Sequence, residues 1–253
     1  MDKCYLGLGL AAVLVLPGVT HAALESRLSG QAYYDTVLDI TWLANAKLVL
    51  TNQFGLSLST LEIDDTPNTV GSTGLITWTN ANAWIGGMNT ANYLGFNNWR
   101  LPTMIDTGAP GCVWSNNGGD CGYNVRTSSG SPPYPATVVY SEMASLFYDT
   151  LGNLAYYDTA GNPNQPGWGF SNTGPFSVVQ GGYWSGLEYA PNTNLAWGFN
   201  FPTGDQVFDN KNVSGSAWAV HPGDVGIVPI PAAAWLLGSG LLGLIGLSRQ
   251  RRR

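Results

Sequence analysis

Gly95-Phe96-Asn97-Asn98-Trp99-Arg100-Leu101-Pro102-Thr103 is where one kind of sequence gives way to another. Asn97 to Thr103 reads as a turn followed by a short strand. On its N-terminal side, Thr77 to Leu94 reads as a helix. Ala81, Trp84, Ile85, Met88 and Ala91 fall at helical spacing, and Thr79 or Asn80 is available as a cap. Gly86-Gly87 weakens that helix by about 1 kcal/mol per glycine. On its C-terminal side, Asp106 to Thr137 is a long loop of Gly, Pro, Ser and Asn. Loops of that length are functional or flexible.

Further out, Ser141 to Leu151 is the clearest helix. Ser141 caps it, Met143, Leu146, Phe147 and Leu151 form one apolar stripe, and Gly152-Asn153 ends it. The remaining segments read as β-strand and turn: 32–36, 38–43, 155–159, 176–180, 183–185, 194–201, 206–208 and 217–220. Leu48 to Leu61 is ambiguous, and Asp64 to Asn68 is a loop. Ala-Tyr-Tyr-Asp-Thr occurs twice, at 32–36 and 155–159, with neighbours that do not match. Both copies read as strand-turn chemistry rather than as a repeat. Two main helices with short antiparallel strands make an α+β domain.

Composition removes several functions. Charged residues are only 10% of the 253 and aromatics are 12%, so the chain is not of the disordered class. Between Ala23 and Ile227 stand 5 basic and 15 acidic residues, a net charge near −10. A phosphate backbone needs the opposite sign, so no nucleic-acid partner is expected. His221 is the lone histidine of that span, which excludes a multi-histidine metal site within one chain.

The two ends read as addresses. Residues 1–22 carry Lys3, an apolar run from Leu6 to Leu16, and Thr20-His21-Ala22 before Ala23, the pattern of a secretory signal. An N-terminal anchor is the alternative. At the other end, Val228-Pro229-Ile230-Pro231-Ala232 leads into an uncharged stretch and then Arg249-Gln250-Arg251-Arg252-Arg253. Ala232 to Ser248 makes a hydrophobic helix of about 25 Å, the lower limit for a membrane span. This order resembles the PEP-CTERM sorting signals of Gram-negative bacteria, in the VPLPA-type variant. The resemblance implies an exosortase as processing partner and transient membrane anchoring through the C-terminal helix. It also implies delivery to the cell surface or extracellular matrix. A plain anchor is the alternative.

Cys112 and Cys121 bracket a polar loop in the exported part. An oxidising compartment favours a disulfide between them, contributing on the order of 2–3 kcal/mol. A metal pair is the alternative, made poor by the lack of a nearby histidine.

Four blocks carry a second resemblance: Tyr34-Asp35-Thr36 with Thr41-Trp42-Leu43; Trp78, Ala81 and Ala83-Trp84; Gly95 to Thr103; and Tyr183-Trp184-Ser185 with Ala217-Trp218-Ala219-Val220. Together, over about residues 33–225, they resemble the DUF1566 family, the Lcl C-terminal domain family. Trp99-Arg100-Leu101-Pro102-Thr103 is the most specific piece. The resemblance implies a C-type-lectin-like α+β fold and adhesion to polysaccharide. It supplies no catalytic residues. His221-Pro222-Gly223 departs from the Arg-Pro-Gly frequent in relatives.

Candidate sites follow from side-chain chemistry. Trp42, Trp84, Trp99, Trp184 and Trp218 belong to the core. Trp114, Asn116, Asn117 and Trp168 lie in Gly/Asn/Pro-rich loops, where an aromatic face stacks on a sugar and amides bond its hydroxyls. The competing role is aromatics folded back on their own loop. Asp205, Asp209 and Asn210 offer hard oxygen donors to Ca2+, with strand and turn as the competing role. His221 before Pro222 reads as a strand-end residue, and no Gly-x-Ser-x-Gly elbow surrounds a serine. The expectation is therefore a surface or secreted domain, residues 23–227, that is not an enzyme and binds extracellular polysaccharide. A structural matrix component ranks behind it, and a polysaccharide hydrolase third.

Overall fold

Aromatic strands find partners in two four-stranded antiparallel sheets. The computed structural model describes residues 24–62, 64–108, 110–112, 120–125, 141–177, 179 and 181–226. The expected signal segment 1–22 and sorting segment 228–253 lie outside them. Among the described residues no helix is long and apolar enough to cross a membrane.

The first sheet orders β1 (Leu24–Arg27), β2 (Ala32–Asp35), β3 (Ile40–Leu43) and β10 (Val220–Pro222). Strand β1 has no counterpart in the sequence reading. The β2–β3 hairpin closes because Asp35 Oδ1 accepts from the Val37 and Leu38 amides at 3.0 and 3.1 Å. Every residue of β3 is buried. Trp42 packs on Trp218 at 4.9 Å between rings. Of the strand expected at 217–220, only Val220 pairs as one; Ala217, Trp218 and Ala219 are buried and irregular.

A parallel pair of two-residue strands, β4 (Ser57–Leu58) and β5 (Thr69–Val70), comes from the ambiguous segment and the loop after it. Helix α1 spans Trp78–Thr90 and buries Ala81, Trp84, Ile85 and Met88. Thr77 caps it, not Thr79 or Asn80: Thr77 Oγ1 accepts from the Asn80 amide at 3.3 Å. Asn80 instead turns its side chain to the 66–69 loop, accepting from Asn68 and donating to Thr66 and Thr69 carbonyls. Gly87 has a packing reason, since a Cβ there would stand 2.2 Å from the Phe54 carbonyl. The helix stops four residues short of Leu94 because Asn92 turns left-handed, at φ 50°.

Residues 99–103 join three elements. Asn89 clamps Trp99, donating to its carbonyl at 2.9 Å and accepting from its amide at 2.8 Å. Arg100 exchanges backbone bonds with Val220 at 2.9 and 2.8 Å, so the expected short strand is one bridge. Its guanidinium grips Glu142 with two bonds, at 2.7 and 2.6 Å, and Glu142 also accepts from the Thr103 amide. Glu142 is buried. Removing Arg100 would leave an uncompensated carboxylate, costing about 3 kcal/mol.

Glu142–Ser145 forms α2, capped by Ser141 Oγ accepting from Ala144, and it loosens into a π-helical turn at Leu146–Thr150. Met143, Leu146, Phe147 and Leu151 are all buried, as the stripe requires. They pack on the second sheet, ordered β6 (Gly122–Tyr123), β9 (Asp205–Asn210), β8 (Leu195–Asn200) and β7 (Gly182–Glu188). Strand β6 is also new relative to the sequence reading. Tyr183, Phe199 and Gln206 stand opposite one another on the inner face, where Phe147 meets Phe199 at 5.6 Å. The outer face carries Gly198, Val207 and Asp209, with Tyr123 paired to Asp205 at one edge. Among the described residues of the strand expected at 176–180, Ser177 bridges to Asn45 and no ladder is present. Cys112 and Cys121 form a disulfide. The five expected core tryptophans are buried, and Trp197 joins them.

Candidate functional site

The second Ala-Tyr-Tyr-Asp-Thr segment, 155–159, is not a strand. Its backbone groups are taken by other partners. The Tyr156 amide donates to Thr203, Asp158 closes a turn with Asn162 at 3.0 Å, and Gln165 returns to the Tyr156 carbonyl. Side-chain amides cap the rest: Gln165 Nε2 donates to Ala155 and Tyr157 carbonyls, and Asn124 Nδ2 donates to Tyr157 at 2.9 Å. With the carbonyls of residues 155–158 so engaged, the segment makes no ladder beyond an isolated bridge from Tyr157 to Pro163 and stands as a braced loop.

That loop presents aromatic rings. Tyr157 lies 5.0 Å from Tyr123 and 5.0 Å from Tyr156, and Tyr156 meets Trp168 edge-on at 4.9 Å. Ala155 is buried beneath them, the three tyrosines are half-buried, and Trp168 is 40% exposed. Leu154, 43% exposed, bridges to Trp168 and widens the apolar surface. Polar groups border it. Asp158 Oδ1 accepts from the Ala160 and Asn162 amides at 2.9 and 2.8 Å. The Asn162 side-chain and backbone bonds, then that to Ala160, hold its carboxyl below the usual range. Among the described residues no donor occupies Asn124 Oδ1 or Gln165 Oε1.

Asp205 lies at the sheet edge beside this cluster, opposite Tyr123. It is buried, which raises its carboxyl above the ordinary value, and it accepts from Thr203 Oγ1. Thr203 in turn accepts from Asn200 Nδ2 at 2.7 Å. Burial first, then the Asp205 charge, pushes the Tyr123 phenol up to about 12, so it stays a protonated donor at neutral pH. Gly204 shapes the turn into β9. Its φ is +72°, and a Cβ there would sit 2.7 Å from the Phe147 ring. Tyr148 Oη donates to the Gly204 carbonyl and accepts from the Asn124 amide, tying the loop of Tyr123 to α2.

Of the residues proposed for glycan contact, Trp168 belongs to this patch, while Trp114, Asn116 and Asn117 lie outside the described residues. So do Val228, Pro229, Pro231 and Ala232 of the sorting motif. Asp205, Asp209 and Asn210 are not brought together. Asp205 and Asp209 are four residues apart on one extended strand, about 13 Å at some 3.3 Å per residue, whereas calcium ligands stand about 2.5 Å from the ion. Asp209 accepts from the Asn210 amide and Asn210 from the Asn212 amide, both local turn bonds. Among the described residues no three His, Cys, Asp or Glu side chains gather as a metal site. His221 sits buried in β10 between Phe96 and Trp99, 4.8 and 5.4 Å from their rings, as a strand residue.

Tyr123, Tyr156 and Tyr157 were not among the candidates. The doubled tyrosine of the second pentapeptide was their one visible signal. Two hollows lie elsewhere. A groove of about 110 Å³ on the outer sheet face is lined by Val207, Asp209, Val213 and Ser214 among others. A second, of about 440 Å³, lies against Phe170, Thr173, Val179 and Pro202. The first is smaller than a ligand pocket, typically ~300 Å³ or more. The second offers one hydroxyl as its polar side chain. Among the described residues, the aromatic patch combines clustered rings with polar side chains beside them. Set against family models, curated proteins and solved structures, the chain matches none of them.

Proposed function

We propose that this chain is an exported, surface-associated or matrix-associated domain that binds extracellular polysaccharide and does not act on it as an enzyme. One observation carries the reading: the clustered rings of half-buried Tyr123, Tyr156 and Tyr157 and exposed Trp168, with Asp158, Asn124 and Gln165 beside them. The C–H face of a pyranose stacks on such rings while its hydroxyls bond carboxylate and amide oxygens. The family resemblance, with its C-type-lectin-like fold and adhesive role, supports the same reading. The Cys112–Cys121 disulfide accords with an oxidising compartment. The signal segment and the PEP-CTERM-like tail support export and exosortase processing.

Affinity electrophoresis through gels cast with a panel of polysaccharides, run with and without calcium, tests the reading. Saturable retardation by one glycan class is expected. Trp168→Ala should weaken it about tenfold, the loss of one stacking contact, with the near-ultraviolet circular dichroism unchanged. An equal test of Trp114→Ala separates the two loop tryptophans. Absence of binding to every glycan would leave the structural matrix role in its place.

A further inference from the structure

Resting on that reading, we propose that the glycan bound at the aromatic patch is neutral, a chain without carboxylate or sulfate groups. The argument comes from where the cations are. Residues 23–227 contain five Lys and Arg: Arg27, Lys47, Arg100, Arg126 and Lys211. Arg27 is held by Asp224 at 2.6 and 2.7 Å and by Glu25 at 2.6 Å. Arg100 is spent on Glu142. Lys211 pairs with Glu188 and lies 4.4 Å from the centre of the Trp78 ring. Three of the five are thus neutralised within the fold, Lys47 stands at the start of the turn Leu48–Leu50, and Arg126 lies outside the described residues.

Among the described residues the patch itself adds only negative charge. Asp158 is half-buried at its border and ionised, and Asp205 stands across from Tyr123. An acidic polysaccharide would approach a surface of its own sign. At physiological salt that repulsion reaches about 8 Å, farther than the contact distance of a stacked sugar. Adhesion to acidic polymers relies on free Arg or Lys side chains, and here Arg27, Arg100 and Lys211 are closed on internal carboxylates. A neutral pyranose meets no such penalty. Its ring packs on Trp168 and Tyr157, and its hydroxyls donate to Asp158, Asn124 Oδ1 or Gln165 Oε1 and accept from the Tyr123 phenol. Nothing in that contact set calls for a charge on the ligand.

Matched polymer pairs test this, because each pair differs in charge alone: dextran with dextran sulfate, and hydroxyethyl cellulose with carboxymethyl cellulose. The full-length chain is run at physiological salt in a detergent without a sugar headgroup. The expected result is saturable binding to the neutral member of a pair, at least tenfold tighter than to its charged partner. Tyr157→Ala and Trp168→Ala should both lose it while the circular dichroism is retained. Tighter binding to the charged member, weakened by added salt and lost in Arg126→Gln, overturns the neutral class and leaves polysaccharide binding standing. No binding to either member of any pair, nor to the wider panel, removes the polysaccharide reading and this inference with it.

Discussion

The same five residues, Ala-Tyr-Tyr-Asp-Thr, serve opposite ends at 32–36 and 155–159. The first copy is strand β2, paired on both sides, with Ala32 and Asp35 fully buried. The second is a braced loop that carries an isolated bridge, Tyr157 to Pro163, and its tyrosines are half-buried, as Tyr33 and Tyr34 are. In both, the aspartate does the same local job: it accepts from the amide two residues on, Val37 in one and Ala160 in the other. What differs is the company. Asp35 is sealed beneath the turn and also accepts from Thr150 Oγ1 at 3.2 Å. Asp158 stays in water. Local sequence thus determines the turn, and partners decide whether the flanking residues become sheet or loop.

The sharpest way to break this comparison is to delete each aspartate. Asp35→Ala strands two amides and a hydroxyl under the hairpin and should destabilise the fold by about 3 kcal/mol, since each buried group left unpaired costs roughly 1–3 kcal/mol. Asp158→Ala should lower the unfolding midpoint far less, because water replaces the lost acceptor. Comparable losses in denaturant titrations would show that the second turn is as structural as the first.

Next in size is the division of labour among the tyrosines. Tyr157→Ala should weaken polysaccharide binding about tenfold while leaving stability nearly unchanged. Tyr33 packs edge-on against Phe176 at 5.6 Å, so Tyr33→Ala should cost about 2 kcal/mol of stability and no affinity once the domain is folded. Affinity lost at Tyr33 and kept at Tyr157 would move the site to the first sheet.

The smallest effect is one of pH, and its sign differs between the copies. Burial raises the Asp35 carboxyl above its ordinary 3.8 despite the opposing bonds from Leu38, Val37 and Thr150. The native state then holds this proton more tightly than the unfolded chain, so its contribution to stability falls as pH rises from 3.8 through the raised folded value. Asp35→Asn keeps an oxygen acceptor and removes that slope, so the variant should gain on the parent as pH rises to neutrality. Asp158 is held low, so its contribution is present above the ordinary carboxylate value and is lost as pH falls through the folded one. Asp158→Asn should therefore differ most from the parent above pH 4 and converge with it below. A difference that does not change with pH in either variant would show that the two carboxyls share one environment.

Much of the framework was legible where local chemistry is self-sufficient. Ser141 caps its helix, and the apolar stripe from Met143 to Leu151 is buried along its length. The core tryptophans are large enough that burial was their natural place, and the cysteines flanking a polar loop do pair. Elements that depend on a distant partner were harder to read. Strands β1 and β6 are short and pair with segments far along the chain or turned back on themselves, which no periodicity reveals. The spacing of Asp205 and Asp209 was likewise not legible: the strand they share sets them at opposite ends of an extended run.

The sequence by itself determined the α+β class, the two helices with Ser141 as one cap, the aromatic core and the acidic excess. Each is a property of composition or of contacts within a turn or two of chain, where spacing alone sets geometry. The tertiary structure decided which tyrosine pair lies in a paired strand and which in a braced loop. It also decided where Arg27, Arg100 and Lys211 direct their charge, and that Tyr123 joins Tyr156, Tyr157 and Trp168. Those outcomes rest on groups tens of residues apart, brought together only when the sheets close.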